Sequence, residues 1–182
     1  TEALSAMFRY SISSPGETAA VREELKNVNN YLLIQKYRFP GKIHYYEEIE
    51  DPEILDYRLP VLTIQPIIEN AVNHGIRDIE WEGKIHLTVT GDADYIRISV
   101  KDNGKGMTQE QIEGVLSGNR ERRNEEGDST GIGMNNVISR LELYYERDGL
   151  MEIYSEGEGM GTEVVINIPL ERSEKNVQNP DC

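Results

Sequence analysis

The chain has 182 residues, 37% hydrophobic and 29% charged, with a formal net charge of 19 − 33 = −14. That length suits one sizeable domain with its own core and an appendage. The negative balance argues against non-specific nucleic-acid binding and against docking on an anionic membrane.

One cysteine, Cys182, ends the chain, so no disulfide can form within it, which is consistent with a reducing compartment. No apolar run approaches the roughly 20 residues that span a bilayer, and no signal peptide opens the chain. The chain begins at Thr1, without Met, inside what reads as a helix. It is therefore expected to be a piece of a longer protein. There is no internal repeat.

In chain order, Leu4, Met7, Phe8 and Ile12 recur at helical spacing, and Ser13-Ser14-Pro15-Gly16 breaks that helix. Thr18 to Arg38 reads as a second helix, with Val21, Leu25, Val28, Leu32 and Gln35 on one side and Phe39-Pro40-Gly41-Lys42 as its end. Ile43, Tyr45, Glu47 and Ile49 alternate like a strand, and Glu50-Asp51-Pro52 turns. Leu59-Pro60 is expected to open a helical region that stops at Gly75. Residues 84–90 and 95–100 have a clean period of two and are linked as a hairpin by Gly91-Asp92-Ala93-Asp94. Each of these strands has one apolar face, so helices are expected on only one side of the sheet. Thr108-Gln109-Glu110-Gln111 is a capping box for a short helix through Leu116. Residues 117–130 lose all periodicity and read either as a solvated loop or as a lid. Residues 150–155 and 162–168 form a last hairpin, and 171–182 are a polar tail.

Three segments carry chemistry. The strand ending at Val100 runs into Asp102-Asn103-Gly104-Lys105-Gly106-Met107. A carboxylate beside backbone left open by glycine can receive an amino group on a flat ligand. By itself the segment is equally an ordinary Asn-Gly turn. Upstream, Gln65-Pro66-Ile67-Ile68-Glu69-Asn70-Ala71-Val72-Asn73-His74-Gly75 puts Asn70, Asn73 and His74 three or four residues apart beside an apolar stripe. Two amides and an imidazole suit a magnesium ion that keeps mostly water and phosphate ligands. The same pattern is also that of an amphipathic helix with a polar face. Downstream, Thr130-Gly131-Ile132-Gly133-Met134-Asn135-Asn136-Val137 opens a helix on two glycines, whose free N–H groups can meet phosphate. A flexible helix start reads the same way. Gly157-Glu158-Gly159-Met160-Gly161-Thr162 then leads into the terminal strand.

In this order the four segments, from about position 65 to 169, resemble the ATP-binding domain of the GHKL superfamily: histidine kinases, gyrase-type topoisomerases, Hsp90 and MutL. Leu4–Ser11, Glu24–Phe39 and Pro60–Ala71 resemble LytS/YesM-type sensor histidine kinases, extending the likeness to all but about the last dozen residues. The resemblance implies a Bergerat-type α/β sandwich, with one mixed, mostly antiparallel sheet and helices on one face. It also implies a division into residues 1–38 (remnant of a dimerisation and phosphoacceptor region), 39–170 (ATP-binding catalytic domain) and 171–182 (tail).

The resemblance further implies that Asp102 accepts a hydrogen bond from the adenine amine, where guanine would offer a carbonyl. It implies that Asn70 coordinates Mg²⁺ and that Gly104, Gly106, Met107, Asn73, His74, Gly131, Ile132, Gly133, Met134 and Thr162 contact nucleotide. At Asn73 many relatives carry lysine, so His74 or an arginine among Arg120, Arg122 and Arg123 is expected to compensate, or ATP affinity to be lower. Pro66 stands where ATPases of the superfamily place a water-activating glutamate, which favours kinase chemistry. None of His44, His74 and His86 has the context of a phosphoacceptor, so the acceptor is expected upstream of Thr1.

The implied function is transfer of the ATP γ-phosphoryl group to that histidine. The implied partners are ATP with Mg²⁺, the acceptor helix, a response regulator and a second copy in the full-length protein. The implied setting is the cytoplasmic side of a bacterial inner-membrane kinase, with no membrane contact by this segment. Neither a P-loop nor a Rossmann glycine pattern is present. Two rivals remain: an ATP hydrolase on the same fold, marked by steady phosphate release, and a degenerate scaffold, marked by failure to bind Mg·ATP.

Overall fold

The structure is a computed structural model and describes residues 17–117 and 130–170; the side chains of residues 130–132 are excluded. The expected helix in residues 1–12, most of the aperiodic segment 117–130 and the tail 171–182 lie outside the described residues.

Five strands form the main sheet: β2 (Ile43–Ile49), β4 (Gly83–Gly91), β5 (Tyr95–Asp102), β6 (Met151–Tyr154) and β7 (Thr162–Pro169). Their order is β2-β4-β5-β7-β6, with β2 parallel to β4 and every other pair antiparallel. The period of two in β4 and β5 does what alternation requires. Ile85, Leu87, Val89, Ile96, Ile98 and Val100 are all buried in one core, while His86, Arg97 and Lys101 stay exposed on the other face. Over the apolar face lie α1 (Val21–Arg38), α2 (Gln65–Asn70), α3 (Gln109–Leu116) and α4 (Thr130–Tyr145). The sheet is mixed and mostly antiparallel, with its helices on one face, as the sequence patterns indicate.

Residues Thr18–Ala20 are not helical. They form β1, paired antiparallel with β3 (Arg58–Pro60) in a two-stranded ladder. The ladder is extended by Val61 N–H to Glu17 O (3.1 Å) and Val21 N–H to Tyr57 O (2.9 Å). The helix starts at Val21 because Glu23 reaches back to accept from Ala20 N–H at 2.8 Å, half of a capping box. Likewise Leu59-Pro60 is extended rather than helical, since a residue before proline avoids the α region. Helix α2 begins five residues later, with Pro66 in its first turn, where no N–H is needed. Gly75 does not stop this helix. The backbone widens into a π-helical turn over Ala71–Ile76. Thr108 and Gln111 form both bonds of the capping box expected for α3.

Candidate functional site

The alternation of β5 carries Asp102 inward. It follows Ile96, Ile98 and Val100 on the buried face and is itself only 7% exposed. A carboxylate thus closes an apolar stripe. Burial raises its pKa from 3.8 to about 6, while hydrogen bonds from the backbone of Gly104 and Thr162 pull in the opposite direction. The Gly104 N–H donates to Asp102 Oδ1 at 2.8 Å. Thr162 lies directly across the ladder from Asp102.

Glycines bring three stretches of backbone to this carboxylate. A Cβ at Gly75 would lie 2.9 Å from Asp102 Oδ1, and one at Gly104 would lie 2.4 Å from the Gly75 carbonyl. At Gly161, which has φ +74°, a Cβ would lie 2.1 Å from Asp102 O. Only hydrogen fits at such separations. Main-chain bonds join the same stretches: Lys105 N–H to Gly75 O (3.0 Å), Gly161 N–H to Gly104 O (3.2 Å) and Gly159 N–H to Lys105 O (2.5 Å). Gly75 therefore leaves room for the carboxylate rather than capping a helix.

Asn103 turns away from this cluster. Its side chain accepts from Lys84 N–H at 2.6 Å and donates to Glu82 O at 3.0 Å, and Trp81 Nε1–H donates to its carbonyl at 2.9 Å. Ser155, which sequence reasoning passed over, braces the loop. Its hydroxyl accepts from Met107 N–H at 3.0 Å and donates to Gly161 O at 2.6 Å. A lone serine at a strand end carries no pattern that would have singled it out. Met107 and Met134 are both buried in the core cluster.

Asn70 ends α2, and Asn73 and His74 lie in the π-helical turn; all three are half-buried. Gly75 ties this turn to Asp102, so the upstream and central segments meet. Tyr31 of α1 packs beside the turn. Burial and then the Glu69 charge push its phenol pKa up, and the Asn73 amide acts in the opposite sense. Gly131, Ile132, Gly133 and Met134 fall in the first turns of α4, which packs against α2. Arg120, Arg122 and Arg123 lie outside the described residues. His44 and His86 sit on strands β2 and β4, and His86 stacks on Tyr46 with ring centroids 4.6 Å apart.

The arrangement can offer a buried acceptor to an amino group and neutral oxygen donors to a metal. Among the described residues, no group of three His, Cys, Asp or Glu could hold a metal ion. Nor is any helix there long and apolar enough to cross a membrane.

The sequence model of the family described as histidine kinase-, DNA gyrase B- and HSP90-like ATPase matches residues 56–172, and that of histidine kinase matches residues 1–43. Sensor histidine kinase YesM of Bacillus subtilis is 30% identical over 92% of this chain and 27% of its own length. Sensor histidine kinase YpdA of Escherichia coli is 31% identical over 93% of this chain and 28% of its own. The chain thus spans under a third of the length of these curated relatives. Among solved structures, the catalytic domain of histidine kinase ThkA in a nucleotide-free form aligns with a TM-score of 0.57 at 20% identity, covering 84% of this chain and 97% of that one. The histidine kinase domain of the Erythrobacter litoralis EL346 blue-light-activated kinase aligns with a TM-score of 0.56 at 18% identity, covering 93% and 72%. These likenesses concern the fold.

Proposed function

Because the chain belongs to the histidine kinase-, DNA gyrase B- and HSP90-like ATPase family, we propose that it is the ATP-binding catalytic part of a sensor histidine kinase. Its task is to present the γ-phosphoryl group of Mg·ATP to a histidine outside this chain. The observation that carries this reading is the buried Asp102 carboxylate walled by Gly75, Gly104 and Gly161. A carboxylate held in apolar surroundings is stabilised by an incoming N–H donor, and the adenine amine is one. Guanine presents an acceptor at that edge and would leave the carboxylate facing an oxygen.

The site fits the nucleotide in three parts. Asp102 reads the base, Gly104 and Gly106 let the Gly75 and Gly157 backbone close up around the loop that meets the nucleotide, and Met107 offers apolar contact; Thr162 helps hold Asp102 by its N–H. Asn70 would hold Mg²⁺, with Asn73 and His74 on the phosphate side. The absence of a three-residue acidic or histidine cluster among the described residues suits a metal that arrives with phosphate oxygens and water. The backbone at Gly131 and Ile132, in the first turn of α4, would supply free N–H donors to phosphate, with Gly133 and Met134 directly behind them in the same helix. When bound, Mg²⁺ offsets phosphate charge and orients the transferring group; the protein contributes position and shielding. Pro66 occupies the first turn of α2, where a hydrolase of this family would place its glutamate, so water is left without a base there.

Residues 1–38 would then derive from the acceptor and dimerisation region, 39–170 would bind ATP, and 171–182 would be a tail. The partners would be an upstream acceptor helix, a response regulator and a second copy of the full-length kinase, with this part on the cytoplasmic side of a bacterial inner membrane.

Calorimetric titration with Mg·ATP and Mg·GTP tests the reading. ATP is expected to bind and GTP to bind much more weakly. Equal affinities, or no binding of either, would overturn it.

A further inference from the structure

The loop Val61–Ile64, which leads into α2, is gripped from two sides. On one side is Glu24 of α1, fully buried at 0% exposure. Its Oε1 accepts from Leu62 N–H at 2.7 Å, and its Oε2 accepts from Thr63 N–H at 3.0 Å and Ile64 N–H at 2.8 Å. On the other side is Arg140 of α4, whose Nη1 donates to Val61 O at 2.7 Å and Leu62 O at 3.0 Å. Thr63 closes the turn with its hydroxyl on Pro60 O at 2.6 Å. Leu62 is held at φ +59°, a left-handed conformation that a leucine keeps only when its surroundings impose it.

A helix start can satisfy its free N–H groups with a local serine or threonine. Here a carboxylate from another helix instead meets the N–H groups of Leu62, Thr63 and Ile64, the loop residues immediately before α2. Burying that charge is costly unless several donors meet it, so the interaction is strong only when α1 and α2 stand in one relative position. Seven residues further along the same face of α1, Tyr31 packs beside Asn73 and Glu69. Helix α1 therefore touches the Asn70-bearing segment at both its start and its π-helical turn. The adenine end of the site is built on β5 and the Gly104 and Gly161 loops, and meets this segment at Gly75, beyond Asn70 and Asn73.

We propose that Glu24 is a positioning residue for the metal and phosphate end of the nucleotide site. It registers α2, and with it Asn70, to helix α1. The inference rests on the reading of Asn70 as the metal-side residue. Its consequence is that a shift of α1 moves the phosphate end of the site while leaving base recognition in place.

The test separates the two ends. Glu24→Gln keeps the shape but turns an amide N–H₂ toward backbone N–H donors. Affinities for adenosine and for Mg·ATP are measured by calorimetry on the 182-residue chain, well below its melting temperature. Adenosine binding is expected to stay within about two-fold. Mg·ATP binding is expected to fall about ten-fold, a coupling of ordinary size between linked sites. Arg140→Gln loosens the same loop from α4 and is expected to act in the same direction; it carries the test if Glu24→Gln does not fold. Parallel losses for both ligands, or no loss for either in a folded variant, would overturn the proposal. If the parent chain binds adenosine but gains nothing from Mg·phosphate, the metal reading of Asn70 has failed, and the proposal falls with it. If that gain is present and survives both substitutions, only the role of Glu24 is lost.

Discussion

At the scale of single residues, Asp102 combines a recognition role with an electrostatic cost. Asp102→Asn should weaken adenine nucleotides by about 1.5–3 kcal/mol, because the charge-assisted acceptor is lost and the amide must reorient. Calorimetry checks this, and unchanged affinity in a folded variant would remove Asp102 from the site. The raised pKa has a defined sign. The folded chain holds the Asp102 proton up to about pH 6, whereas the unfolded chain releases it near 3.8. The stability tied to the protonated form is therefore complete below about pH 4 and is lost as pH rises through 6. The penalty above that window is on the order of 2–3 kcal/mol. Denaturant midpoints should show wild type losing stability relative to Asp102→Asn between those pH values. A flat difference would mean that the carboxylate does not titrate there. Adenine binding needs the ionised acceptor, so affinity should drop as pH falls below about 6.

At the scale of elements, two glycines of opposite kind can be compared. Gly161 has φ +74° and no room for a Cβ against Asp102 O. Gly161→Ala should destabilise the chain by about 2 kcal/mol or more, adding backbone strain to a forced displacement of the ladder. Gly114 lies on the exposed side of α3, and no described atom lies within 4 Å of its would-be Cβ. Gly114→Ala should raise stability by up to about 1 kcal/mol. Thermal melts decide both, and equal effects would mean that the glycine contacts around Asp102 are looser than the geometry indicates. In α2, Asn70→Ala should reduce the Mg²⁺ dependence of ATP binding more than it affects adenosine. Equal losses would make Asn70 a support of the fold rather than of the metal.

For the whole molecule, chemistry is expected only in trans. The γ-phosphate and an imidazole must meet within attack distance, and His44 and His86 lie on strands β2 and β4. Incubated with γ-labelled ATP, the chain alone should take up no acid-labile phosphate and should hydrolyse ATP slowly. A separate segment bearing the parent's acceptor histidine should acquire weak acid-labile label. Label mapped to His44, His74 or His86 would overturn the placement of the acceptor outside this chain.

What the amino-acid order determined by itself is local. The period of two placed β4 and β5 and put Asp102 in line with their buried residues. The Thr108–Gln111 pair marked the start of α3, and the carboxylate with its glycines marked the candidate site. All of these depend on neighbours a few positions apart. The tertiary structure decided what depends on distant partners. Thr18–Ala20 became a strand because β3, some 40 residues on, supplied its hydrogen bonds. Leu59-Pro60 became that partner strand instead of a helix start. Gly75 left its expected role as a stop because Asp102 and Gly104 needed the space. The buried Glu24 carried no signal in its helical pattern, since a charge inside a core is tolerable only once three N–H donors from another element are brought to it. Periodicity is written along the chain, whereas the partners that satisfy buried backbone and buried charge exist only after the chain has folded.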